Sequence, residues 1–347
     1  MTTVVTPPPD LYGRPRPDRL FGALVPVVEA YRRLSLRSAK GQPPARPVDR
    51  DLRVVVRSVV AEAEGVVSLV LADPSGARLP AWRPGCHVDV VLPSGTVRQY
   101  SLCGEPADLR TYRIAVRLVG SGSAEAHGLE PGTPLVLRGP RNAFPFVGHG
   151  PCLFIAGGIG ITPILPMVRH AAARGADWRL VYTGRSRAAL PFLDELASLR
   201  TTDRVEVRTD DEHGLPTAAD LLGRAPSGAA VYVCGPVPVI ELVKAAWPGR
   251  FHAERFSPPP VVDGSPFELQ LGAGGPVVPV GADESALEAL RRARPDVAYS
   301  CRQGFCGTCK VRVLSGAVEH RGRALSEEDT MLVCVSRAAG DRVVLDV

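Results

Sequence analysis

Three cysteines lie in the stretch Ser300-Cys301-Arg302-Gln303-Gly304-Phe305-Cys306-Gly307-Thr308-Cys309, and a fourth, Cys334, follows downstream. Four residues separate the first two cysteines and two residues separate the next pair. This spacing is typical of the plant-type [2Fe–2S] cluster, in which four thiolates hold two irons. A cluster of this kind transfers one electron at a time, so the motif predicts a protein of an electron-transfer chain.

A zinc site is the alternative reading of the cysteines. Structural zinc sites favour two pairs of close cysteines, whereas here three cysteines share one loop and the fourth stands alone. Gly304 and Gly307 favour a tightly folded loop, because glycine adopts positive φ at little cost. Such a loop can direct backbone N–H groups at cluster sulfurs, so the pattern favours iron–sulfur over zinc.

The amino-acid composition and charge of the chain limit the class of protein to which it can belong. The chain has 347 residues, 45% of them hydrophobic, which predicts two to four globular domains. Its net charge of +5 comes from residues 1–50, which carry nine basic and four acidic residues, so the main body shows no nucleic-acid signature. No signal peptide or bilayer-spanning run is evident. Four further cysteines show no paired spacing, and a reducing cytoplasm is the expected compartment; they are Cys86, Cys103, Cys152 and Cys234.

Local patterns divide the chain into five segments. Residues 1–50 form a basic Pro/Arg-rich extension with a helix predicted over 18–38. Residues 51–148 carry six short strand patterns that predict an antiparallel β-barrel. Strands alternate with helices over 149–256, which predicts a doubly wound parallel sheet. A proline-rich linker, 257–264, precedes the cysteine-bearing domain, 265–347.

A glycine turn follows the first strand of the expected parallel sheet. It reads Gly157-Gly158-Ile159-Gly160-Ile161-Thr162-Pro163 and leads into a helix. Glycines at this place let the backbone approach a pyrophosphate, and the helix N-terminus favours its charge. The pattern is not the Gly-x-Gly-x-x-Gly fingerprint, so a turn without a ligand stays open. A second strand end, Cys234-Gly235, lies at the same expected edge and favours nucleotide binding.

The barrel segment carries a second polar motif, Arg98-Gln99-Tyr100-Ser101, at the end of a predicted strand. Arginine can neutralise a phosphate, tyrosine can stack on an isoalloxazine ring, and serine can hydrogen-bond to the reactive N5 edge of a flavin. Gly122-Ser123 can open a short helix that cradles a phosphate. Exposed polar residues with no ligand are the competing interpretation.

The order of these motifs over residues 51–347 resembles the phthalate dioxygenase reductase and vanillate demethylase reductase family of the ferredoxin–NADP reductase superfamily. The segments that carry the resemblance are Arg98–Leu102, Gly139–Phe144, Phe154–Pro163, Val233–Pro236, His252–Phe256, Cys301–Cys309 and Cys334–Arg337. The resemblance implies a flavin-binding barrel, an NAD(P)-binding sheet and a β-grasp [2Fe–2S] ferredoxin domain in one multidomain chain.

The resemblance also implies residue roles. Electrons would pass from NAD(P)H to the flavin, then to the cluster, then to a separate protein. It places Arg98, Tyr100 and Ser101 at the flavin, Gly122, Ser123 and Arg117 at its phosphate, and Phe256 beside its ring. It places Thr162, Cys234 and Gly235 near the nicotinamide, with Ser101 and Cys234 as the catalytic candidates. Gly157, Gly158 and Gly160 would hold the nucleotide, and the cluster ligands would be Cys301, Cys306, Cys309 and Cys334.

Several choices stay open in the sequence. The cluster-last order and the lack of a segment for an adenosine favour FMN over FAD. The resemblance favours NADH, whereas Arg185 and Arg187, with no acid between them, permit NADPH. The expected partner of a monomeric chain is a Rieske-type oxygenase or a haem-thiolate monooxygenase. Arg302 and Lys310 can meet an acidic partner surface or be solvated charges. The alternative function is a redox-responsive or electron-carrier module without NAD(P)H turnover.

Overall fold

The computed structural model describes residues 24, 26–31, 51–199, 203–256, 261–304, 306–322, 325, 327 and 329–347. Residues 1–49 and 50–347 form two separate units. In the first unit the described residues are helical, inside the helix predicted over 18–38, and the rest of that prediction lies outside the described residues. Residues 257–260 of the expected linker lie outside them too. No helix in the described part of the chain is long and apolar enough to cross a bilayer.

The first sheet of the larger unit is antiparallel and has six strands. Alternating burial builds its core: along β5, Tyr112, Ile114 and Val116 are at most 1% exposed. An isolated bridge between Leu102 and Ile114 joins the end of β4 to β5, so the sheet closes into the expected barrel. Its order is β4-β3-β6-β1-β2-β5, and its elements are β1 Asp51–Ala63, β2 Val66–Ala72, β3 Cys86–Val91, β4 Val97–Ser101, β5 Thr111–Arg117, helix α1 Ser121–His127 and β6 Pro134–Asn142.

The second sheet is parallel and has five strands in the order β11-β10-β7-β8-β9. The chain runs outward from β7 in one direction and from β10 in the other, so the topological switch point lies between β7 and β10. The strands are β7 Cys152–Gly157, β8 Trp178–Gly184, β9 Val205–Thr209, β10 Ala230–Cys234 and β11 Phe251–Glu254, and the helices are α2 Ile161–Ala173, α3 Leu193–Ser198, α4 Asp210–His213, α5 Ala218–Leu222 and α6 Val237–Ala246.

Two elements of this sheet domain were not predicted from sequence. Strand β11 is only four residues long and carries the polar His252 and Glu254, which hides its strand pattern. Helix α4 is one acidic turn directly after β9. Helix α2 begins at Ile161, two residues before the predicted start at Pro163, because a proline in the first turn needs no N–H partner.

The third sheet is mixed, with the order β13-β12-β18-β14-β16, and helix α7 packs on it through Leu287 and Leu290. Ser285 caps α7 and accepts a hydrogen bond from the Glu288 N–H, as a capping box requires. This is the β-grasp ferredoxin fold that the resemblance implied. Its elements are β12 Phe267–Leu271, β13 Val277–Val280, α7 Ala286–Ala293, β14 Lys310–Ser315, β15 Val318–Glu319, β16 Thr330–Leu332, β17 Arg337–Ala338 and β18 Arg342–Leu345, where β15 and β17 pair separately.

Arg337 is a buried cation in this third domain, with 2% of its surface exposed. Its guanidinium donates to the backbone carbonyls of Glu284, Ser265 and Gly281 at 2.7, 2.8 and 2.9 Å. It also lies over the Phe267 ring, 5.0 Å from the centroid. One planar fork thereby ties together the start of the domain, the entry to α7 and strand β17, which follows Cys334.

We expect Arg337→Lys to destabilise the cluster domain by about 2 kcal/mol, because an ammonium group cannot serve the same three carbonyls from one plane. Arg342→Lys is the matched control, since Arg342 is half exposed and its pair with Glu268 contributes little. Urea denaturation of the full chain, followed by loss of the visible cluster absorbance, measures both variants. Equal midpoints for the two variants would contradict this role of Arg337.

Candidate active site

A cavity of about 290 Å³ lies where the three sheets of the larger unit meet. Strand β4 lines it with the motif Arg98–Ser101, the end of β11 and the chain that follows line it with Glu254 and Phe256, and the cluster loop lines it with Cys301. The structure thereby brings together residues that are about 200 positions apart in sequence. A redox group that is shared by three domains must lie between them. A cavity lined by all three domains provides such a position.

Arg98 reaches from β4 to the start of α1. A Cβ atom built on Gly122 would lie 2.7 Å from the Arg98 Nε, so a larger residue there would require the guanidinium to shift. An arginine held beside the first backbone N–H groups of a helix forms an anion-binding arrangement. Both residues were picked out from sequence as candidates for a phosphate site, and the fold places them in contact.

Ser123 shapes the loop that precedes this helix. Its hydroxyl accepts hydrogen bonds from the N–H groups of Val119 and Gly120 at 2.8 and 2.9 Å and donates to the Gly120 carbonyl at 2.7 Å. The side chain is therefore occupied within its own loop. It holds the backbone of the α1 start in place, where the buried Gly122 lies against Arg98.

Glu254 is the most perturbed group of the cavity. Its side chain is buried, and its Oε2 has no hydrogen-bond partner among the described residues. Burial raises the pKa of this carboxyl to about 8, and the hydrogen bond from Ser101 acts in the opposite direction. At neutral pH the carboxyl is therefore mainly protonated, next to the serine that the sequence singled out for flavin chemistry.

Cys234 lies beside Glu254, because β10 and β11 pair in parallel with these two residues in register. The cysteine is fully buried, and its burial together with the nearby carboxyl raises the pKa of its thiol well above the usual range. Ser101 and Cys234, which sequence reasoning proposed as separate catalytic residues, thus lie on either side of one carboxyl group that it missed. The sequence contained one signal for this carboxyl group, namely an acidic residue at the end of the last strand of the sheet.

His87 is a second polar residue of the cavity that the sequence did not reveal. It lies opposite Ser101 in the β3–β4 pair and is 5% exposed. Burial, and next the charge of Arg141, lower the pKa of its ring to about 4. The imidazole is therefore neutral, and its Nε2 has no partner among the described residues, which leaves it available to a polar ligand edge.

The glycine turn lies at the switch point of the parallel sheet. A Cβ on Gly160 would come within 2.2 Å of the Cys234 carbonyl, and a Cβ on Gly157 within 2.5 Å of the Pro236 ring. Gly158 has φ of +54° and lies beside the Arg117 guanidinium, which comes from the barrel. The two strand ends can approach this closely only through glycine, and the resulting crevice is where parallel sheets of this class bind ligands.

Thr162 contributes to the turn from within. Its hydroxyl donates to the Ile159 carbonyl at 3.0 Å, and its side chain is 2% exposed. Thr162, Gly157 and Gly160 were proposed from the sequence to bind the nucleotide. In the structure they lie at the switch point and do not line the 290 Å³ cavity. The site therefore has two adjoining parts, a crevice at the sheet edge and a cavity facing the cluster loop.

The four cysteines of the cluster motif form two pairs. The Cys301 thiol hydrogen-bonds to Cys306, which lowers the pKa of the Cys306 thiol to about 4, and Cys334 hydrogen-bonds to Cys309 and lowers its pKa. Within the described residues, no three histidine, cysteine or acidic side chains converge closely enough to hold a single metal ion. Two thiol pairs, Cys301 with Cys306 and Cys309 with Cys334, fit a cluster with two irons and two thiolates on each.

The two glycines of the cluster loop have the positive φ expected from sequence, +78° at Gly304 and +79° at Gly307. Gly304 packs on Gly322 and on the Val335 side chain, next to the fourth cysteine. Of the flanking cations, Lys310 pairs with Glu327 at 2.8 Å and Arg302 lies over the Tyr299 ring. Neither cation projects alone into solvent.

Two protein families match parts of the chain. Residues 154–245 match an oxidoreductase NAD-binding domain, and residues 273–339 match a 2Fe-2S iron–sulfur cluster binding domain. The first range contains the glycine turn and Cys234, and the second contains all four paired cysteines. The matches agree with the geometry of the parallel sheet and of the cluster loop.

Characterised proteins are similar over most of the chain. A putative toluene-4-sulfonate monooxygenase system reductase subunit of Comamonas testosteroni is 39% identical over 315 residues, covering 86% of this chain and 99% of its own length. Phthalate dioxygenase reductase of Burkholderia cepacia is 34% identical and vanillate O-demethylase oxidoreductase of a Pseudomonas species is 36% identical, covering 86% and 85% of this chain and 98% and 100% of theirs.

Solved structures show the same architecture. The structure of phthalate dioxygenase reductase matches with a TM-score of 0.66 and 33% identity over 86% of this chain and 98% of its own. An intact self-sufficient cytochrome P450 monooxygenase matches with a TM-score of 0.70 and 34% identity over 91% of this chain, which spans only 44% of that longer protein. The chain is therefore an oxidoreductase of the phthalate dioxygenase reductase and vanillate demethylase reductase family.

Proposed function

We propose that the chain is an NADH-dependent reductase that passes electrons through FMN and a [2Fe–2S] cluster to a separate oxygenase. The observation that carries this proposal is the single cavity walled by Ser101, Glu254 and Cys301. Each of these residues comes from a different domain, and each has a side chain suited to one step. An electron-carrier module without NADH turnover would not need Ser101 and Glu254 in the wall of the cavity.

The flavin residues are proposed on the contacts described above. Arg98 and the backbone at Gly122 would hold the phosphate, while Tyr100 and Phe256 would border the ring. When bound, the flavin converts the two-electron chemistry of a hydride into one-electron transfers. Cavity residues would supply the proton path: Ser101 and Glu254 both line the cavity, and the Glu254 carboxyl retains a proton up to about pH 8.

The nucleotide is proposed to bind, and electrons to enter, at the switch-point crevice. Gly157, Gly158 and Gly160 would lie against the nucleotide phosphates, and Arg117 beside Gly158 adds positive charge there. Thr162, Cys234 and Gly235 would lie near the nicotinamide. Because Cys234 and Glu254 are neighbours across two strands, the crevice leads directly to the flavin cavity.

Electrons are proposed to leave the protein from the side of the cluster loop that lies opposite the cavity. Cys301 is buried and faces the cavity, whereas Cys306 is partly exposed and precedes the exposed Thr308. The partner would therefore dock beside Cys306. Similar proteins are named as reductase subunits of dioxygenase and monooxygenase systems, and one match is fused to a cytochrome P450. Reconstitution with a Rieske-type oxygenase and with a haem-thiolate monooxygenase distinguishes the two partner classes.

Domain limits follow from the same assignment. We assign residues 51–148 to the flavin-binding barrel, 149–256 to the nucleotide-binding domain and 265–347 to the ferredoxin domain. Residues 1–50 would be an extension and 257–264 a linker, in a monomeric cytoplasmic protein. Chromatography of the released flavin distinguishes FMN from FAD, and sedimentation velocity measures the oligomeric state.

The NADH preference is supported by the carboxyl edge of the parallel sheet. Arg187, one of the two arginines that permitted NADPH, pairs with Glu212 at 3.0 Å. Asp210, Asp211 and Glu212 form α4 at the end of β9, which lies next to the end of β8. This acidic turn disfavours a 2′-phosphate by charge repulsion and occupies one of the cations that would bind it.

We expect Glu212→Gln to raise the NADPH/NADH ratio of kcat/KM about tenfold, because it frees Arg187 for a phosphate contact. Glu206→Gln is the matched control, since Glu206 pairs with Arg224 on the same sheet but away from the carboxyl edge of β9. Steady-state kinetics with ferricyanide measure both ratios. An unchanged ratio in Glu212→Gln would exclude this pair as a determinant of the preference.

Cys301→Ser is expected to lower cytochrome c reduction by at least about tenfold, because a serine hydroxyl is a poor cluster ligand. Direct reduction of ferricyanide by the flavin should stay within twofold of the wild type. Cys152→Ser serves as the control, since this buried thiol packs in the core of the parallel sheet, and its hydrogen bond goes to the Gly150 carbonyl. Equal loss of both activities would contradict the electron order from flavin to cluster.

Glu254 is expected to make the rate of flavin reduction depend on pH near 8. The carboxyl holds its proton below about pH 8 and loses it above, so the wild-type rate should fall as pH rises through this value. Glu254→Gln should be slower by about 10²-fold and flat from pH 6 to 9.5. Ser101→Ala should move the inflection to higher pH, because the Ser101 hydrogen bond lowers this pKa. A wild-type profile in Glu254→Gln would rule the role out.

A further inference from the structure

The cluster loop is anchored to both other domains on the two sides of Cys301. The Tyr299 hydroxyl donates to the Asp89 Oδ2 of β3 at 3.1 Å. The Gln99 amide of β4 donates to the Ser300 carbonyl at 3.4 Å, and the Gln303 amide donates to the Arg255 carbonyl, directly after β11, at 2.7 Å. The cysteine that faces the cavity is therefore held by its immediate neighbours in the sequence.

The Tyr299 anchor on the barrel is a buried ion pair. The Asp89 side chain is 3% exposed and lies 2.6 Å from the Arg141 guanidinium. Asp89 and Gln99 are directly opposite each other in the β3–β4 pair, so two of the anchors share one rung of the barrel. A hydroxyl that donates to a buried carboxylate makes a charge-assisted hydrogen bond of well-defined direction.

The Tyr299 ring is also the centre of a group of cations. The guanidinium carbons of Arg291, Arg302 and Arg141 lie 4.4, 4.8 and 5.7 Å from the ring centroid. Arg302, the residue after Cys301, has φ of +53°, a strained backbone conformation for a side chain of this size. Contact with the ring offsets that strain, so Tyr299 determines the backbone path on the far side of Cys301 as well.

We propose that Tyr299 is a positioning residue for electron transfer from the flavin to the cluster, an inference that rests on the proposed function. By joining Asp89 to the loop, it fixes the Cys301 side of the cluster against the cavity. The step moves one electron: the reduced flavin is oxidised by one electron and the diferric cluster is reduced by one. No bond between heavy atoms forms or breaks, and no proton travels with the electron to the cluster.

Tyr299→Phe removes only the hydroxyl and keeps the ring beside the three arginines. We expect the flavin-to-cluster rate, observed by stopped flow after mixing the holoprotein with NADH, to fall about tenfold, since small displacements of reacting groups are costly. Flavin reduction itself should stay within twofold of the wild type. Hydrogen–deuterium exchange of residues 299–303 should increase, which gives a readout independent of turnover.

Tyr112→Phe is the matched control, because its hydroxyl donates to the Pro80 carbonyl within the barrel and contacts no residue of the cluster loop. It should leave the flavin-to-cluster rate and the exchange of 299–303 unchanged. Gln99→Leu removes the neighbouring anchor and should slow the same step, by less than Tyr299→Phe. Visible absorbance verifies that each variant carries the full cluster content.

The outcomes distinguish a failure of the proposed function from a failure of the positioning role of Tyr299. A wild-type protein that NADH does not reduce, or that lacks the cluster, refutes the proposed function. A wild-type flavin-to-cluster rate in Tyr299→Phe overturns the positioning role alone. Equal slowing of flavin reduction and of the flavin-to-cluster step would also overturn it, because a general loss of stability does not select one step.

Discussion

The buried carboxyl of Glu254 lies where the barrel meets the parallel sheet, with Ser101 in the wall of the same cavity, and the active site is built around it. A carboxyl in this position is costly to ionise, which is why burial raises its pKa to about 8. Because Glu254 is in register with Cys234, this residue also joins the proposed flavin cavity to the switch-point crevice. Neither domain alone would contain the site.

Close backbone approach is the second constraint. Gly160 lies against the Cys234 carbonyl and Gly122 against the Arg98 guanidinium, and at both places a single Cβ would overlap a neighbouring atom. These contacts bring the ends of β7 and β10 together and shape the loop that is proposed to bind the flavin phosphate. The glycines thus position the groups on both sides of the proposed hydride transfer without making chemical contacts of their own.

The cluster loop has two sides with different roles. Cys301 is buried towards the cavity, while Cys306 is partly exposed beside Thr308. Tyr299 ties the inner side to the buried Asp89–Arg141 pair of the barrel. The loop is therefore fixed where electrons are proposed to enter and accessible where they are proposed to leave.

Local patterns were enough to predict much of this molecule. The cysteine spacing, the glycine turn and the six strand patterns of the barrel depend on residues close in sequence, and the family resemblance over 51–347 combined them in the right order. Strand β11 and helix α4 escaped prediction because they are short, and their polar residues mask the usual periodicity.

The sequence by itself predicted the kinds of cofactor site, a [2Fe–2S] cluster, a flavin and a nicotinamide nucleotide, because ligand spacing and glycine turns are local properties. The tertiary structure alone decided how the cofactor sites meet. The pKa of Glu254, the neutrality of His87, the pairing of Arg187 with Glu212 and the anchoring of Tyr299 on Asp89 all arise between residues distant in the chain. Burial and electrostatic interactions of this kind depend on three-dimensional distance, which no local pattern of residues contains.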